Sequence, residues 1–193
     1  MPNQFFDNTK VSTHRNCPRK YYYRHVEHLQ GDGKSPALSF GLGWHDANDV
    51  MWAGLQAQEN HVDIIKKAFL KWHERWTEDG FPGMDSISPE EEKELKARTP
   101  TTALQMIEAY VATRGNQIGP GAEFELIAIE LPFAVPIYPD REDIWYCGRL
   151  DKVVRDRHGG IYIIDHKTTA MYKREGGFRA AFLDSWSPDS QMD

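Results

Sequence analysis

Cysteine is scarce in this chain: Cys17 and Cys147 are the only two in 193 residues. Two cysteines do not make a disulfide framework, so a reducing cytoplasm is the default compartment. No run of 18 apolar residues occurs, which excludes a spanning helix, and no membrane partner is expected. The opening MPNQFFDNTK lacks the basic-then-apolar layout of a signal peptide. Basic charge is not in excess either. With 23 Lys and Arg against 29 Asp and Glu, the formal net charge is −6, which argues against sequence-independent coating of nucleic acid but leaves room for a local groove. Apolar residues are not lacking, at 40% hydrophobic and 12% aromatic, so the chain is neither disordered nor fibrous. Its length suits one domain with a sizeable core.

What the chain does have is concentrated at residues 144–169, IWYCGRLDKVVRDRHGGIYIIDHKTT. Two stretches, 144–155 and 160–168, are rich in Ile, Val, Tyr and Trp and are separated by charge and Gly159-Gly160, the composition of a β-hairpin. Alternation along the second strand puts Ile161, Ile163, Asp165 and Lys167 on one face. Asp165 and Lys167 then sit together where an apolar strand runs out. Pairing of the two strands could bring Asp151 close to Asp165. Two carboxylates and an ammonium at strand ends suit a hard divalent cation and a water to be activated. The plainer reading of Asp165 and Lys167, ordinary charges where a strand leaves the core, stays open at this point.

Elsewhere the pattern is mostly helical. Ser12 is a candidate cap for a first helix that Pro18 interrupts. In Cys17-Pro18-Arg19-Lys20-Tyr21-Tyr22-Tyr23-Arg24, cations interleaved with rings suit a nucleic-acid strand, or are core tyrosines beside a solvated basic face. His45, Asn48, Asp49 and Trp52 share one face of a helix entered through glycines. Residues 59–117 read as helical, with Val62, Ile65, Phe69, Trp72 and Trp76 as a core stripe. Ser88-Pro89-Glu90-Glu91 starts a helix as a capping box, and Pro100 ends or kinks it before 101–113 resumes with Leu104, Ile107 and Val111 inward. Residues 123–135 read as a strand. Beyond Lys167, the Lys173, Arg174 and Arg179 loop is either a backbone-holding element or plain surface, and Ser187-Pro188 is another helix start.

Taken together, Gly148-Arg149-Leu150-Asp151 and Ile163-Ile164-Asp165-His166-Lys167-Thr168-Thr169 resemble the core of the PD-(D/E)XK nuclease superfamily, and look closest to its RecB-like branch, which includes AddB-type and CRISPR-associated exonucleases. CPRKYYY resembles the opening motif of that branch, where the cysteine is in several families the first of four ligands to an iron–sulfur cluster. With only two cysteines this chain holds no such cluster unless a longer parent supplies more, and Cys17 is otherwise expected as a buried small hydrophobe. Gly41-Leu42-Gly43-Trp44-His45 matches the branch's G-x-x-x-H pattern, which implies His45 as a metal ligand. Glu130 stands where relatives carry a glutamate that supports the metal site, or is an outward strand charge. Gln191 matches the start of a Q-x-x-x-Y motif, whose tyrosine would fall past Asp193. A truncated C-terminal helix from residue 187 is therefore expected.

The implied fold class is α/β: a restriction-endonuclease-like core with a small mixed sheet flanked by helices, helical over 12–117 and sheet over 123–169, in a single domain of residues 1–193. The resemblance implies a Mg²⁺- or Mn²⁺-dependent deoxyribonuclease, an exonuclease on single-stranded DNA or free ends in repair, recombination or phage DNA processing. Asp151, Asp165, His45 and the His166 backbone carbonyl would hold the metal, and Lys167 would act on the water. A helicase or larger parent protein fits the same branch, while the motifs encode neither digestion polarity nor oligomeric state. Two other classes stand beside it. One is a nuclease fold that binds DNA or a partner without cutting. The other is an HD-type phosphohydrolase suggested by His45-Asp46, which would need its further ligands on helices rather than on strands.

Overall fold

Twenty-one residues of helix, Pro36–Gln56, form the longest element among the described residues, which in this computed structural model are 3–29, 31 and 33–169. In chain order the described residues form β1 (Gln4–Phe6), α1 (Asn8–Asn16), α2 (Pro18–Tyr21), a π-helical turn (Tyr22–Val26), α3 (Pro36–Gln56), α4 (His61–Glu78), α5 (Pro89–Leu95), α6 (Pro100–Arg114), β2 (Phe124–Tyr138), β3 (Arg141–Asp156) and β4 (Ile161–Ile164). The basic loop with Lys173, Arg174 and Arg179, the helix start at Ser187, and Gln191 lie outside the described residues. The sheet runs β1-β3-β2, with β4 also paired to β3. It is mixed: β1 is parallel to β3 (Gln4↔Ile144), and β4 is antiparallel to it (Lys152↔Ile164, Arg155↔Ile161). This is the α/β class expected, a small mixed sheet flanked by helices.

The chain divides into two compact units. One takes Met1–Asp32, Pro132–Arg149 and Thr169–Asp193; the other takes Gly33–Leu131 and Leu150–Thr168. In the second unit, α3 begins at Ser35, whose Oγ accepts from Leu38 N, with Pro36 in the first turn. Its buried side chains, Phe40, Trp44, Ala47, Met51, Trp52 and Leu55, recur at helical spacing and meet Ile64, Ala68, Trp72 and Trp76 of α4 and Ala103, Ile107 and Val111 of α6. Close approach of α3 and α4 depends on two glycines. A Cβ on Gly43 would lie 2.8 Å from Trp72 Cδ1, and one on Gly54 would lie 2.8 Å from Ile64 Cγ1. Trp72 stacks on Trp76 at 5.2 Å, and Trp76 stacks on Phe81 at 4.3 Å while donating Nε1 to Pro82 O.

Several sequence expectations need correction. Val62 is 72% exposed, and the stripe of α4 runs through Ile64 and Ala68 into Trp72 and Trp76, the face that packs on α3 and α6, with Ile65 and Phe69 at its border. The first helix starts at Asp7, whose carboxylate accepts from Lys10 N, so Ser12 lies within it rather than capping it. Cys17 is exposed, not buried: it occupies the break before Pro18, and its Sγ caps α2 by accepting from Lys20 N at 3.4 Å. The strand expected over 160–168 stops at Ile164. The β3–β4 turn is held by Asp156, whose Oδ1 accepts from His158 N and Gly160 N, with Gly159 at φ +86°.

Candidate metal centre

Both ends of the candidate site are local consequences of helix and strand geometry. On α3, His45 and Asp49 are one turn apart and so point to the same side. On β3, Asp151 and Lys152 follow one another, and the register carries Ile164 of β4 opposite Lys152, which brings the next residue, Asp165, to the end of the hairpin. His45 Nδ1 lies 3.0 Å from Asp151 Oδ2, and Lys167 Nζ lies 2.7 Å from Asp165 Oδ2. His45, Asp151 and Asp165 each offer one ligand atom, and these atoms fall within 4.8 Å of one another. The four side chains are between 18% and 36% exposed, open enough for a substrate phosphate and water. β4 ends at Ile164, so Asp165 and Lys167 lie just past the strand.

The two carboxyls titrate in opposite directions. Burial pushes Asp151 up, but hydrogen bonding to His45 and Asp165 and the charges of His45 and Lys152 outweigh it and hold Asp151 below the usual carboxylate range. Asp165 is raised, by burial first and by the neighbouring Asp151 carboxylate, with Lys167 opposing. A second negative charge this close is what makes Asp165 the harder of the two carboxyls to ionise. His45 is raised, chiefly through its hydrogen bond to Asp151. The donor set, one imidazole nitrogen and two carboxylate oxygens, is hard and anionic and fits Mg²⁺ or Mn²⁺.

Lys152 went unnoticed in the sequence and is a further charge of this region. Its side chain is fully buried, and Nζ donates to Asp49 Oδ1 at 2.9 Å. A lysine inside the apolar run that follows Asp151 was the available signal. Lys152→Met should lower stability by about 2–3 kcal/mol, since it strips Asp49 of its partner. Lys152→Met with Asp49→Leu should recover most of that loss. Urea unfolding midpoints at an unchanged slope measure both.

His166 is placed by its ring. Nε2 is 3.0 Å from the Tyr110 hydroxyl, which accepts from Trp52 Nε1 at 2.8 Å. Burial, then the charges of Lys152 and His45, push His166 down to about 4, so the imidazole is neutral near pH 7. Tyr110, absent from the sequence reading, thus anchors the residue between Asp165 and Lys167.

The remaining sequence candidates lie elsewhere or serve other ends. Glu130 is outside the three-ligand group. It has a left-handed φ of +51° inside β2, where Ala128, Ile129 and Glu130 are half-buried in succession and the alternation expected of the strand breaks. Cys17 belongs to no metal-ligating group among the described residues. A Cβ on Gly41 would make only ordinary contact with Thr168 Oγ1 at 3.4 Å, so the glycine that packing requires before His45 is Gly43. In Gly148-Arg149-Leu150-Asp151, a Cβ on Gly148 would lie 2.9 Å from the Phe133 ring. Asp46 is engaged with Arg75 Nε at 2.8 Å, which removes it from His45 and with it the basis of an HD-type site.

A family model of the PD-(D/E)XK nuclease superfamily matches residues 8–184. A search of curated proteins finds no match.

Proposed function

Because the chain belongs to the PD-(D/E)XK nuclease superfamily, we propose that it is a metal-dependent deoxyribonuclease of the RecB-like branch, an exonuclease on single-stranded DNA or free ends. Superfamily membership implies DNA as substrate and a divalent metal as cofactor. What supports the site assignment is the meeting of His45, Asp151 and Asp165 ligand atoms within 4.8 Å, with the Lys167 ammonium beside Asp165. Residues 1–193 would act as one nuclease domain in the reducing cytoplasm, in repair, recombination or phage DNA processing. A helicase partner or a longer parent with the further cysteines for a cluster at Cys17 belongs to the same proposal. No helix among the described residues is long and apolar enough to cross a membrane.

His45, Asp151, Asp165 and the His166 carbonyl would hold Mg²⁺ or Mn²⁺. When bound, the ion supplies Lewis acidity, making water a better nucleophile and offsetting charge on the phosphate oxygens. The protein's own groups do the rest. Lys167 orients the attacking water and donates to the phosphoryl oxygens as negative charge builds on them. The water oxygen bonds to phosphorus and gives up one proton to solvent, one P–O ester bond breaks, and the departing strand oxygen takes up a proton from solvent. The Trp52–Tyr110–His166 chain of contacts keeps Asp165 and Lys167 in place, and misplacement by about 1 Å can cost ~100-fold in rate. Glu130 would support the ligands through a hydrogen bond or a water.

Metal binding should depend on pH with a definite sign. The ion needs a neutral His45 and an ionised Asp165, and both groups hold their protons to higher pH than usual. Affinity for Mn²⁺ is therefore weak below the raised His45 titration and rises as pH climbs through it, over a range that lies above the ordinary imidazole value. Calorimetric titration with Mn²⁺ across that range, beside Asp151→Asn, tests the site. Rising affinity that the variant loses is the expected result. Flat affinity, or binding unchanged in Asp151→Asn, would contradict the ligand set.

A further inference from the structure

In a chain of net charge −6, residues 8–26 contain five Lys and Arg and no Asp or Glu. Four of these cations, Arg15, Arg19, Lys20 and Arg24, are exposed. Elsewhere many cations are neutralised, as Lys34 is by Asp79, Lys67 by Glu59, Arg75 by Asp46 and Arg141 by Asp143. Among the described residues, none of the four N-terminal cations has a carboxylate partner. Glu27, the first acid after them, is engaged by the Tyr22 hydroxyl.

The rings in this segment decide what kind of surface it is. Had the tyrosines been core, the cations would be no more than a solvated face. Tyr22 is 48% exposed and Tyr23 is 43% exposed, while only Tyr21 is half-covered, edge-on to His14 at 5.3 Å and tilted against His25 at 5.2 Å. The Arg19 guanidinium lies over the Tyr23 ring at 5.7 Å, and the two exposed tyrosines meet edge-on at 5.6 Å. The backbone makes this exposure possible. Pro18 ends α1 at Cys17, and the following helix widens into a π-helical turn, closed by Glu27 N donating to Tyr22 O. Burying such rings and unpaired charges against protein would strand four cations. A polyanion with free π-faces satisfies both.

We propose that the segment from α1 through the π-helical turn is a docking strip for single-stranded nucleic acid, with Arg15, Arg19, Lys20 and Arg24 on phosphates and Tyr22 and Tyr23 as stacking platforms for bases. It takes its substrate class from the nuclease reading and adds where and how a strand is held. A duplex offers phosphates to the same cations but keeps its bases stacked inside, so the rings select for single strands.

The test is anisotropy of labelled oligo(dT) with the full chain in EDTA, across about 50 to 200 mM salt. Arg19→Ala/Lys20→Ala/Arg24→Ala should lower the slope of log affinity against log salt by about 2, at roughly 0.7 per lost phosphate contact. Tyr22→Ala/Tyr23→Ala should weaken binding about 10–100-fold with the slope kept, and Tyr22→Phe/Tyr23→Phe should restore it. All three variants should hydrolyse bis(p-nitrophenyl) phosphate with Mn²⁺ as the parent does. Oligo(dT) binding unchanged in the alanine variants, no binding by the parent, or equal tyrosine dependence on duplex overturns the strip. Absent hydrolysis of the small diester in the parent counts instead against the nuclease reading, and leaves the binding result to stand by itself.

Discussion

Alanine at Asp165 or at Lys167 is expected to reduce metal-dependent DNA cleavage by about a thousand-fold or more, with folding unchanged. The two losses arise differently. Asp165 is one of three side chains whose ligand atoms lie within 4.8 Å, so Asp165→Ala should lose metal binding and cleavage together. A correctly held cation is worth several kcal/mol of transition-state stabilisation, and each ~1.4 kcal/mol is tenfold in rate. Lys167→Ala leaves all three ligands in place, so Mn²⁺ affinity should survive while kcat collapses. Both residues lie past the end of β4 and outside the buried core, which is why thermal unfolding should barely move. Calorimetry and cleavage rates measured side by side separate the two roles. Cleavage by Lys167→Ala at the parental rate would remove this lysine from the mechanism.

Trp72→Ala should give the largest loss of stability, about 3–5 kcal/mol. Trp72 is fully buried at the centre of the α3–α4 contact, stacked on Trp76 and Phe69 and edge-on to Phe40. Its ring fills the space that Gly43 leaves by having no side chain, so truncation opens a cavity that neither helix can close without shifting. Its Nε1 is buried and has no hydrogen-bond partner among the described residues. Trp72→Phe should therefore keep most of the stability, losing ring area but no bond. Urea unfolding followed by circular dichroism reads both. A loss below about 1 kcal/mol in Trp72→Ala would mean that the core repacks around the site.

How much of this was legible in the sequence depended on whether the signal was local. The α3 face, the capping box at Ser88 and the β3–β4 hairpin follow from spacing and from Ser, Pro and Gly at fixed positions, and each appears. Asp165 and Lys167 were recognisable because they stand two apart after an apolar run. Lys152 was not, because strand alternation suggests a solvent-facing lysine beside Asp151. Its burial is decided by Asp49, 103 positions away on α3. Tyr110 is hidden for the same reason, 56 positions from the His166 ring that it holds. The packing role of Gly43 was hidden because a pattern of residue types contains no distance to Trp72. Cys17, expected inside, is outside because Pro18 forces a new helix start at that point and makes the thiol its cap.

The central claim is that three ligands and a lysine make this chain cut DNA. End-labelled single- and double-stranded DNA, incubated with the protein in Mg²⁺, Mn²⁺ or EDTA, tests it most directly. The account predicts cleavage with either metal, none in EDTA and a preference for single strands with free ends. DNA bound but left intact by the folded protein in both metals would contradict it and leave a nuclease fold that only binds.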